Sequence, residues 1–191
     1  MVFGAAYLLL TYLLASVPFG LVLCAVIVDA DPRDGGSGNI GATNVYRQFG
    51  TRLGLLTLLL DALKGGLPTA AALVAFPNPH VAGLVALVAF AGHCFSAYLS
   101  FRGGKGVATA AGVLLALSPA AALLSLLVWF VVVAATRRSS LGALITAILM
   151  PIFVGIAAPV HLWAALLLTV GVVLRHRDNI SRLLRREELA A

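Results

Sequence analysis

Apolar segments, most of them long enough to cross a lipid bilayer, follow one another along this chain and constrain its fold more than any other feature. They lie at 3–27, 53–75, 80–97, 105–117, 119–135, 140–157 and 160–174. A spanning helix needs roughly 20 apolar residues, and only 10% of the 191 residues are charged, against about 25% in a soluble domain. The pattern predicts an all-α polytopic membrane protein with about seven transmembrane helices, in a single integral membrane domain over 1–191.

Basic residues alternate with these segments. Those that follow the first, third, fifth and seventh segments, together with Lys64 inside the second, account for all 13 lysines and arginines. The turns at 76–79, 117–119 and 157–160 carry none. Because cytoplasmic loops are enriched in Lys and Arg, we expect the N-terminus outside, the C-terminus in the cytoplasm and the polar segments at the cytoplasmic face. The net charge of +6 then favours membrane lipid headgroups or an anionic substrate as partners, and not nucleic acid.

The most unusual polar segment is Gly103-Gly104-Lys105-Gly106, at the start of the fourth apolar segment. It is not an ATP-binding P-loop, because that motif needs Ser or Thr after the lysine and a further glycine upstream. A helix N-terminus presents free N–H groups and a partial positive charge to an anion. The segment therefore indicates either a cradle for a phosphate or acyl phosphate, or a flexible turn whose lysine lies among the headgroups.

Two further groups of polar residues are compatible with an anionic substrate. The first loop carries hydroxyl, amide and guanidinium side chains, at Ser37, Asn39, Thr43, Asn44 and Arg47. The alternative for this group is ordinary turn and capping chemistry. Lys64 lies within an apolar segment, where a charge points to function by default. Asp61 stands three residues before it, so the alternative there is a structural ion pair.

The histidines near the polar segments differ in their surroundings. His93, near the end of the third apolar segment, is typical of a structural hydrogen-bonding residue. His176 stands close to Asn179 just past the last segment, where it could orient a substrate or transfer a proton, or belong to a basic belt at the headgroups. No zinc-type spacing and no flavin or nicotinamide fingerprint occurs, so we expect neither a metal nor a cofactor. Cys24 and Cys94 are expected to be small core residues.

Three stretches, in this order, resemble the three motifs of the bacterial acyl-phosphate:glycerol-3-phosphate acyltransferases. They are SGNIGATNVYR (37–47), GHCFSAYLSFRGGKGVA (92–108) and RHRDNISRLL (175–184). Their order, spacing and placement at span ends match, and the resemblance covers nearly the whole chain. It implies an enzyme of phospholipid synthesis in the bacterial inner membrane. Such an enzyme moves a fatty acyl group from acyl phosphate to the 1-hydroxyl of glycerol 3-phosphate, giving lysophosphatidic acid and inorganic phosphate.

The resemblance also implies which residues form the site. Those in a catalytic role would be Ser37, Arg47, Lys105, His176 and Asn179. Those that bind substrate would be Asn39, Asn44, Lys64, Gly103, Gly104, Gly106, Arg137, Ser140, Arg182 and Glu188. The chain departs from the family pattern at Ser96 and Tyr98, where proline and other aromatics are usual.

The family resembled here uses neither acyl-CoA nor acyl carrier protein, and lacks the H-x-x-x-x-D motif of other glycerol-phosphate acyltransferases. This chain agrees, because Tyr98 and Ser181 stand five residues after His93 and His176. We expect direct transfer without an acyl-enzyme, with either His176 or a substrate phosphate as the base. A small anion transporter is the rival interpretation, since transporters also use helix N-termini and buried cations. The scarcity of polar residues at one membrane face argues against it.

Overall fold

The computed structural model describes residues 2–190, with side chains from residue 4 onward, so Met1 and Ala191 of the predicted domain lie outside the described residues. In this part of the chain all regular structure is helical, which confirms the all-α prediction. The helices are α1 (Val2–Ser16), α2 (Phe19–Val28), α3 (Ala42–Phe49), α4 (Thr51–Ala75), α5 (Pro79–Cys94), α6 (Val107–Leu117), α7 (Pro119–Thr136), α8 (Ser139–Ala157), α9 (Leu162–Arg175) and α10 (Arg177–Leu184). Single 3₁₀ turns lie at Pro32–Asp34, Ala97–Leu99 and Pro159–His161.

Four of these elements are long and apolar enough to cross a membrane unaided, namely α4, α5 with the turn after it, α7 and α8. Two bent pairs, α1 with α2 and α9 with α10, raise the number to six if each pair is one span. Helix α6 has only 11 residues, or about 16 Å at 1.5 Å per residue, roughly half of a 30 Å hydrocarbon core. All the apolar segments are thus helical as expected, but the fourth is too short to span by itself.

A proline breaks the first predicted span, 3–27, into two helices. Pro18 lacks an N–H group and disfavours helix at Val17, so α1 and α2 meet at a bend of 42°. The break leaves backbone carbonyls without partners in their own helix, and side chains from α4 and from the segment after α5 bond them. Lys64 Nζ donates to the Val17 carbonyl at 2.7 Å and Ser96 Oγ donates to the Ser16 carbonyl at 2.6 Å. The departure from the family pattern at Ser96 therefore has a structural use.

Helix α4 packs closely against the short α6 at the centre of the bundle. Glycines make this approach possible, because a Cβ on Gly66 would lie 2.8 Å from the carbonyl oxygen of Gly112. Small residues at a helix crossing allow such close packing within a membrane. Buried side chains such as Val85, Val113 and Leu168 fill the space between α5, α6 and α9. This packing fixes the position of the first turn of α6, where the glycine loop (103–106) ends.

Candidate active site

A cavity of about 240 Å³ opens where the polar segments meet at one end of the bundle. Its entrance is formed by the first loop with α3, the glycine loop, the start of α8 and the segment after α9. An apolar arm continues between α6, α7 and α8, and its lining includes Leu114, Leu126, Trp129 and Met150. The cavity therefore joins a polar entrance to a space suited to a hydrocarbon chain.

Most of the predicted site residues come together around this cavity. Those that line it are Ser37, Asn39, Asn44, Arg47, Lys105, Gly106, Ser140, His176, Asn179 and Glu188. Those that lie outside its lining are Lys64, Gly103, Gly104, Arg137 and Arg182. Asp61, which the sequence offered as an ion-pair partner of Lys64, and His93, which it predicted to be a structural hydrogen-bonding residue, line it as well.

The first loop is shaped by the side chain of Asn44, which is only 2% exposed. Its Oδ1 accepts from the Ser37 N–H at 2.8 Å, and its Nδ2 donates to the carbonyls of Pro32 and Asn39 at 2.7 and 2.8 Å. Asn39 Oδ1 in turn accepts from the N–H of Gly41, at the start of α3. The amide group of Asn44 and the side-chain oxygen of Asn39 are thus occupied within the loop, where the sequence predicted substrate binding. Ser37 and Arg47 line the cavity as well.

The first two residues of the glycine loop differ from expectation. The N–H groups of Gly103 and Gly104 donate to the carbonyls of Cys94 and His93, each at 3.1 Å. A Cβ on either glycine would collide with His93, with its carbonyl oxygen for Gly103 and its imidazole for Gly104. Because their amides are paired inside the protein, these two glycines support the loop, and they do not form the expected anion cradle.

The part of the loop that faces the cavity begins at Lys105. Gly106 follows with φ +78°, a conformation that favours glycine, and precedes the first turn of α6. The N–H groups of such a first turn have no partner within the helix and favour an anion. The anion site suggested by the sequence is therefore narrower in the structure, and consists of Lys105, Gly106 and the N-terminus of α6.

Lys105 is half-buried, and within residues 4–190 its ammonium group has no hydrogen-bond or ion-pair partner. Burial is the main cause that lowers the pKa of Lys105 to about 8, and the charges of Arg182 and Arg47 lower it further. Glu188 opposes this shift. The entrance thus holds excess positive charge that an anionic ligand would neutralise.

The C-terminal tail, residues 187–190, lies over the entrance. Arg47 Nε donates to the carbonyl of Ala190 at 2.5 Å, and another guanidinium nitrogen donates to the carbonyl of Leu189 at 3.3 Å. Burial lowers the pKa of Arg47, and the charge of Glu188 opposes this shift. The tail therefore orients the guanidinium at the edge of the cavity.

Glu188 gathers several predicted site residues around its carboxylate. Its two oxygens accept from Asn179 Nδ2 at 2.5 Å and from Arg182 Nε at 2.7 Å. Burial raises the pKa of Glu188, but Ser140, Asn179 and Arg182 outweigh it and hold that pKa below its usual value. Arg182 thus reaches the site through Glu188, without lining the cavity as a substrate-binding residue would.

His176 faces the cavity from the junction of α9 and α10 and is 2% exposed. Its Nδ1 lies 2.8 Å from the carbonyl oxygen of Val172. Since a carbonyl can only accept, Nδ1 carries the proton and Nε2 keeps a lone pair. Burial lowers the pKa of His176 to about 4, and the charge of Lys105 adds to the effect. The imidazole is therefore neutral at physiological pH, with one free acceptor nitrogen.

Lys64 lies beside the cavity, in a buried cluster of charges. Its ammonium forms an ion pair with Asp61 at 2.7 Å, and both side chains are almost fully buried. His93 Nδ1 lies 3.7 Å from the same carboxylate oxygen. Lys64 therefore neutralises Asp61, where the sequence predicted substrate binding, and Asp61 and His93 supply the polar surface at the cavity. Lys64, the charge within an apolar segment, led from the sequence to this cluster. The sequence did not show that Asp61 and His93, and not Lys64, line the cavity.

The turn between α7 and α8 separates two predicted residues. Arg137 ends α7 in a left-handed conformation with φ +57° and is exposed, so it does not reach the cavity. Ser140 lies in the first turn of α8 and lines the cavity. Next to it, the hydroxyl of Ser139 hydrogen-bonds that of Thr43 at 3.2 Å, which joins α8 to the first loop.

A match to a protein-family model shows which family the chain belongs to. Residues 5–186 match the family described as "Glycerol-3-phosphate acyltransferase". The chain belongs to the glycerol-3-phosphate acyltransferase family. Among relatives of that description, the one from Halorhodospira halophila is 46% identical over 93% of this chain and 91% of its own length. The one from Trichlorobacter lovleyi is 48% identical over 91% of this chain and 90% of its own.

Solved structures of the glycerol-3-phosphate acyltransferase family have the same architecture. A crystal structure of PlsY (YgiH), an integral membrane glycerol 3-phosphate acyltransferase in its glycerol 3-phosphate form, superposes with a TM-score of 0.93 at 38% identity. The match covers 98% of this chain and 95% of that chain. The lysophosphatidic acid form of PlsY superposes with a TM-score of 0.90 at 36% identity, over 98% of this chain and 94% of that chain. The prediction of an all-α polytopic membrane protein of this family is confirmed.

Proposed function

We propose that this protein transfers a fatty acyl group from acyl phosphate to the 1-hydroxyl of glycerol 3-phosphate, and releases lysophosphatidic acid and inorganic phosphate. The observation that carries the proposal is a single cavity with a cationic entrance and an apolar arm. Such a space suits a donor that has a phosphate at one end and a hydrocarbon chain at the other. The names of the relatives, glycerol-3-phosphate acyltransferases, support glycerol 3-phosphate as the acceptor.

The phosphate of the donor would bind at Lys105, Gly106 and the N-terminus of α6. The hydroxyl oxygen of glycerol 3-phosphate forms a bond to the acyl carbon, and the bond from that carbon to the phosphate oxygen breaks. Negative charge then grows on the departing phosphate, where Lys105 and the helix N–H groups stabilise it. Arg47, at the edge of the cavity, would hold the phosphate of the acceptor in a bidentate manner.

His176 would accept a hydrogen bond from the attacking hydroxyl at Nε2 and so orient it. A pKa of about 4 makes His176 a weak base. The departing phosphate gains negative charge as its bond to the acyl carbon breaks, so it becomes the better proton acceptor. The hydroxyl proton therefore passes to the departing phosphate. Within the described residues no hydrogen bond joins a serine hydroxyl to an imidazole, which favours direct transfer over an acyl-enzyme.

The same proposal includes location. The enrichment of Lys and Arg in the loops supports a cytoplasmic C-terminus, glycine loop and cavity entrance, with the N-terminus outside. The membrane is then the bacterial plasma membrane, and the apolar arm between α6, α7 and α8 lies at the depth of the acyl chains.

The test uses the full-length protein purified in detergent with palmitoyl phosphate and glycerol 3-phosphate. We expect phosphate release and lysophosphatidic acid formation in equal amounts, and neither product without glycerol 3-phosphate. Palmitoyl-CoA in place of palmitoyl phosphate should give no product. Equal activity with palmitoyl-CoA would refute acyl phosphate as the specific donor. A folded protein without activity toward either donor would refute acyl transfer.

A further inference from the structure

We propose that Arg175 is a positioning residue that holds the glycine loop and thereby sets the places of Lys105 and His176 at the cavity. The inference rests on the proposed function. Its first support is a pair of hydrogen bonds from the half-buried guanidinium of Arg175. Nε donates to the carbonyl of Gly104 at 3.1 Å, and a terminal nitrogen donates to the carbonyl of Gly103 at 2.8 Å.

The guanidinium is itself held in place by an aromatic ring. Its central carbon lies 5.5 Å from the centre of the Phe95 ring, within the range of a cation–π contact. Phe95 directly follows α5. Arg175 therefore links the end of α9 to the end of α5 and to the loop that leaves it.

The loop is fastened from its other side as well. The N–H groups of Gly103 and Gly104 bond the last carbonyls of α5, while their own carbonyls bond Arg175. All four polar groups of these two glycines are thus occupied. Lys105 is the next residue, and its side chain lacks such partners in the described chain. Its position consequently depends on the peptide groups before it.

Arg175 also precedes His176 directly in the chain. The Nδ1 of His176 bonds the carbonyl of Val172, one turn earlier in α9. The end of α9 thus carries the guanidinium that fixes the donor's lysine and the imidazole that faces the acceptor's hydroxyl. One rigid helix end sets the distance between the two substrates.

Arginine suits this position better than lysine does. Its planar fork can bond two carbonyls in fixed directions, whereas an ammonium is a compact donor on a flexible stem. The charges that shift the pKa of Lys105 include Arg182, Glu188, Arg47 and Asp178. Arg175 lowers the pKa of the neighbouring His176. Removal of Arg175 is therefore expected to change the geometry of the loop at Lys105, and its direct electrostatic effect is expected at His176.

The experiment compares Arg175→Ala and Arg175→Lys with Arg177→Ala. Arg177 lies two residues away, its side chain is 86% exposed, and its polar contact is with Asp178 at 3.6 Å. It provides a matched removal of one arginine from the same short segment. Each full-length variant is assayed for kcat/KM with both substrates, for the pH profile of kcat/KM, for thermal unfolding and for hydrogen–deuterium exchange.

We expect Arg175→Ala to lower kcat/KM by about 10²-fold, the cost typical of a misplaced reacting group. The alkaline limb of the pH profile of kcat/KM should move to a pH above about 8, because the ammonium group of Lys105 is better hydrated in a loosened loop and its pKa rises. Amide exchange should rise in the peptide that contains the glycine loop. Arg175→Lys should recover part of the activity, and Arg177→Ala should behave as the wild type in all four measurements.

The inference is overturned if Arg175→Ala keeps the wild-type pH limb and loop exchange, or if its whole loss of activity is explained by a smaller folded fraction. If the alanine variant does not fold, the same readouts are taken from Arg175→Lys, and a wild-type pH limb and wild-type loop exchange in that variant overturn the inference. An inactive wild type would count against the proposed function instead, and in that case loop exchange in Arg175→Lys and Arg177→Ala still decides whether Arg175 holds the loop.

Discussion

The two lysines of this chain lie beside the same cavity and use their charges in opposite ways. Lys64, inside α4, forms an ion pair with Asp61 and donates to the carbonyl of Val17, so its charge is neutralised within the protein. Lys105, in the glycine loop, is half-buried with no carboxylate partner in the described chain. Depth in the membrane alone therefore does not identify the lysine that meets the substrate. What distinguishes them is whether the protein already supplies the counter-charge.

The largest effect should come from removing only one member of the Lys64–Asp61 pair. Lys64→Met leaves a buried carboxylate without its counter-ion, which typically costs about 3–5 kcal/mol. We expect a loss of that size in the free energy of unfolding, measured by titration with sodium dodecyl sulfate. The double variant Asp61→Leu/Lys64→Met should recover most of it, because apolar replacements of a buried pair are often neutral. Equal losses in the single and double variants would contradict a structural role for Lys64.

Lys105→Ala should show the opposite behaviour, with a loss of activity and little change in stability. Removal of one donor that stabilises developing negative charge typically lowers the rate about 10²–10³-fold. We expect kcat/KM to fall by this factor while the unfolding transition stays within about 0.5 kcal/mol of wild type. Arg102→Ala, an exposed cation three residues earlier, is the matched control and should retain activity. If both variants lost activity equally, general surface charge would explain the effect.

The pH dependence of kcat/KM should show a smaller effect, from the ionisation of Lys105 and His176. Lys105 acts as a cation, so activity falls as the pH rises through its pKa of about 8, about tenfold per unit. His176 acts in its neutral form, so activity is lost only as the pH falls toward about 4. Once the titration of the substrate phosphate near about 6 is allowed for, we expect no enzyme group to titrate in kcat/KM between about pH 5 and 7, where an ordinary histidine with a pKa of about 6.5 would. Lys105→Arg should remove the alkaline limb, and an unchanged limb would assign it to another group.

The sequence predicted the helices well because hydrophobicity over long segments reports directly on burial in lipid. It missed the break at Pro18, which depends on local backbone geometry inside an apolar segment. The shortness of the fourth apolar segment was visible in the sequence, and α6 has only 11 residues. Polar segments that share one membrane face were expected to form the site, and their side chains do line one cavity. The orientation of that face relative to the cytoplasm stays a prediction.

Individual roles within the site were harder to predict, because they depend on which way each group points. The order of residues does not reveal that Gly103 and Gly104 direct their amides at α5, or that Asn44 uses its amide group inside the first loop. Contacts between distant segments were equally hidden, as with Arg47 and the tail. Motif membership therefore identified the neighbourhood of the site, while tertiary contacts decided which residues meet the cavity.

The spacing of Asp61 and Lys64 also matters while the protein is being made. A single charge at the centre of a spanning helix raises the cost of membrane insertion by about 2.5–3.5 kcal/mol. Because the two residues are three positions apart in α4, they lie on one face of the nascent helix and can pair as soon as it winds. The segment then enters the bilayer as a dipole and needs no later helix to neutralise it. Its insertion is thereby independent of the order in which the rest of the bundle assembles.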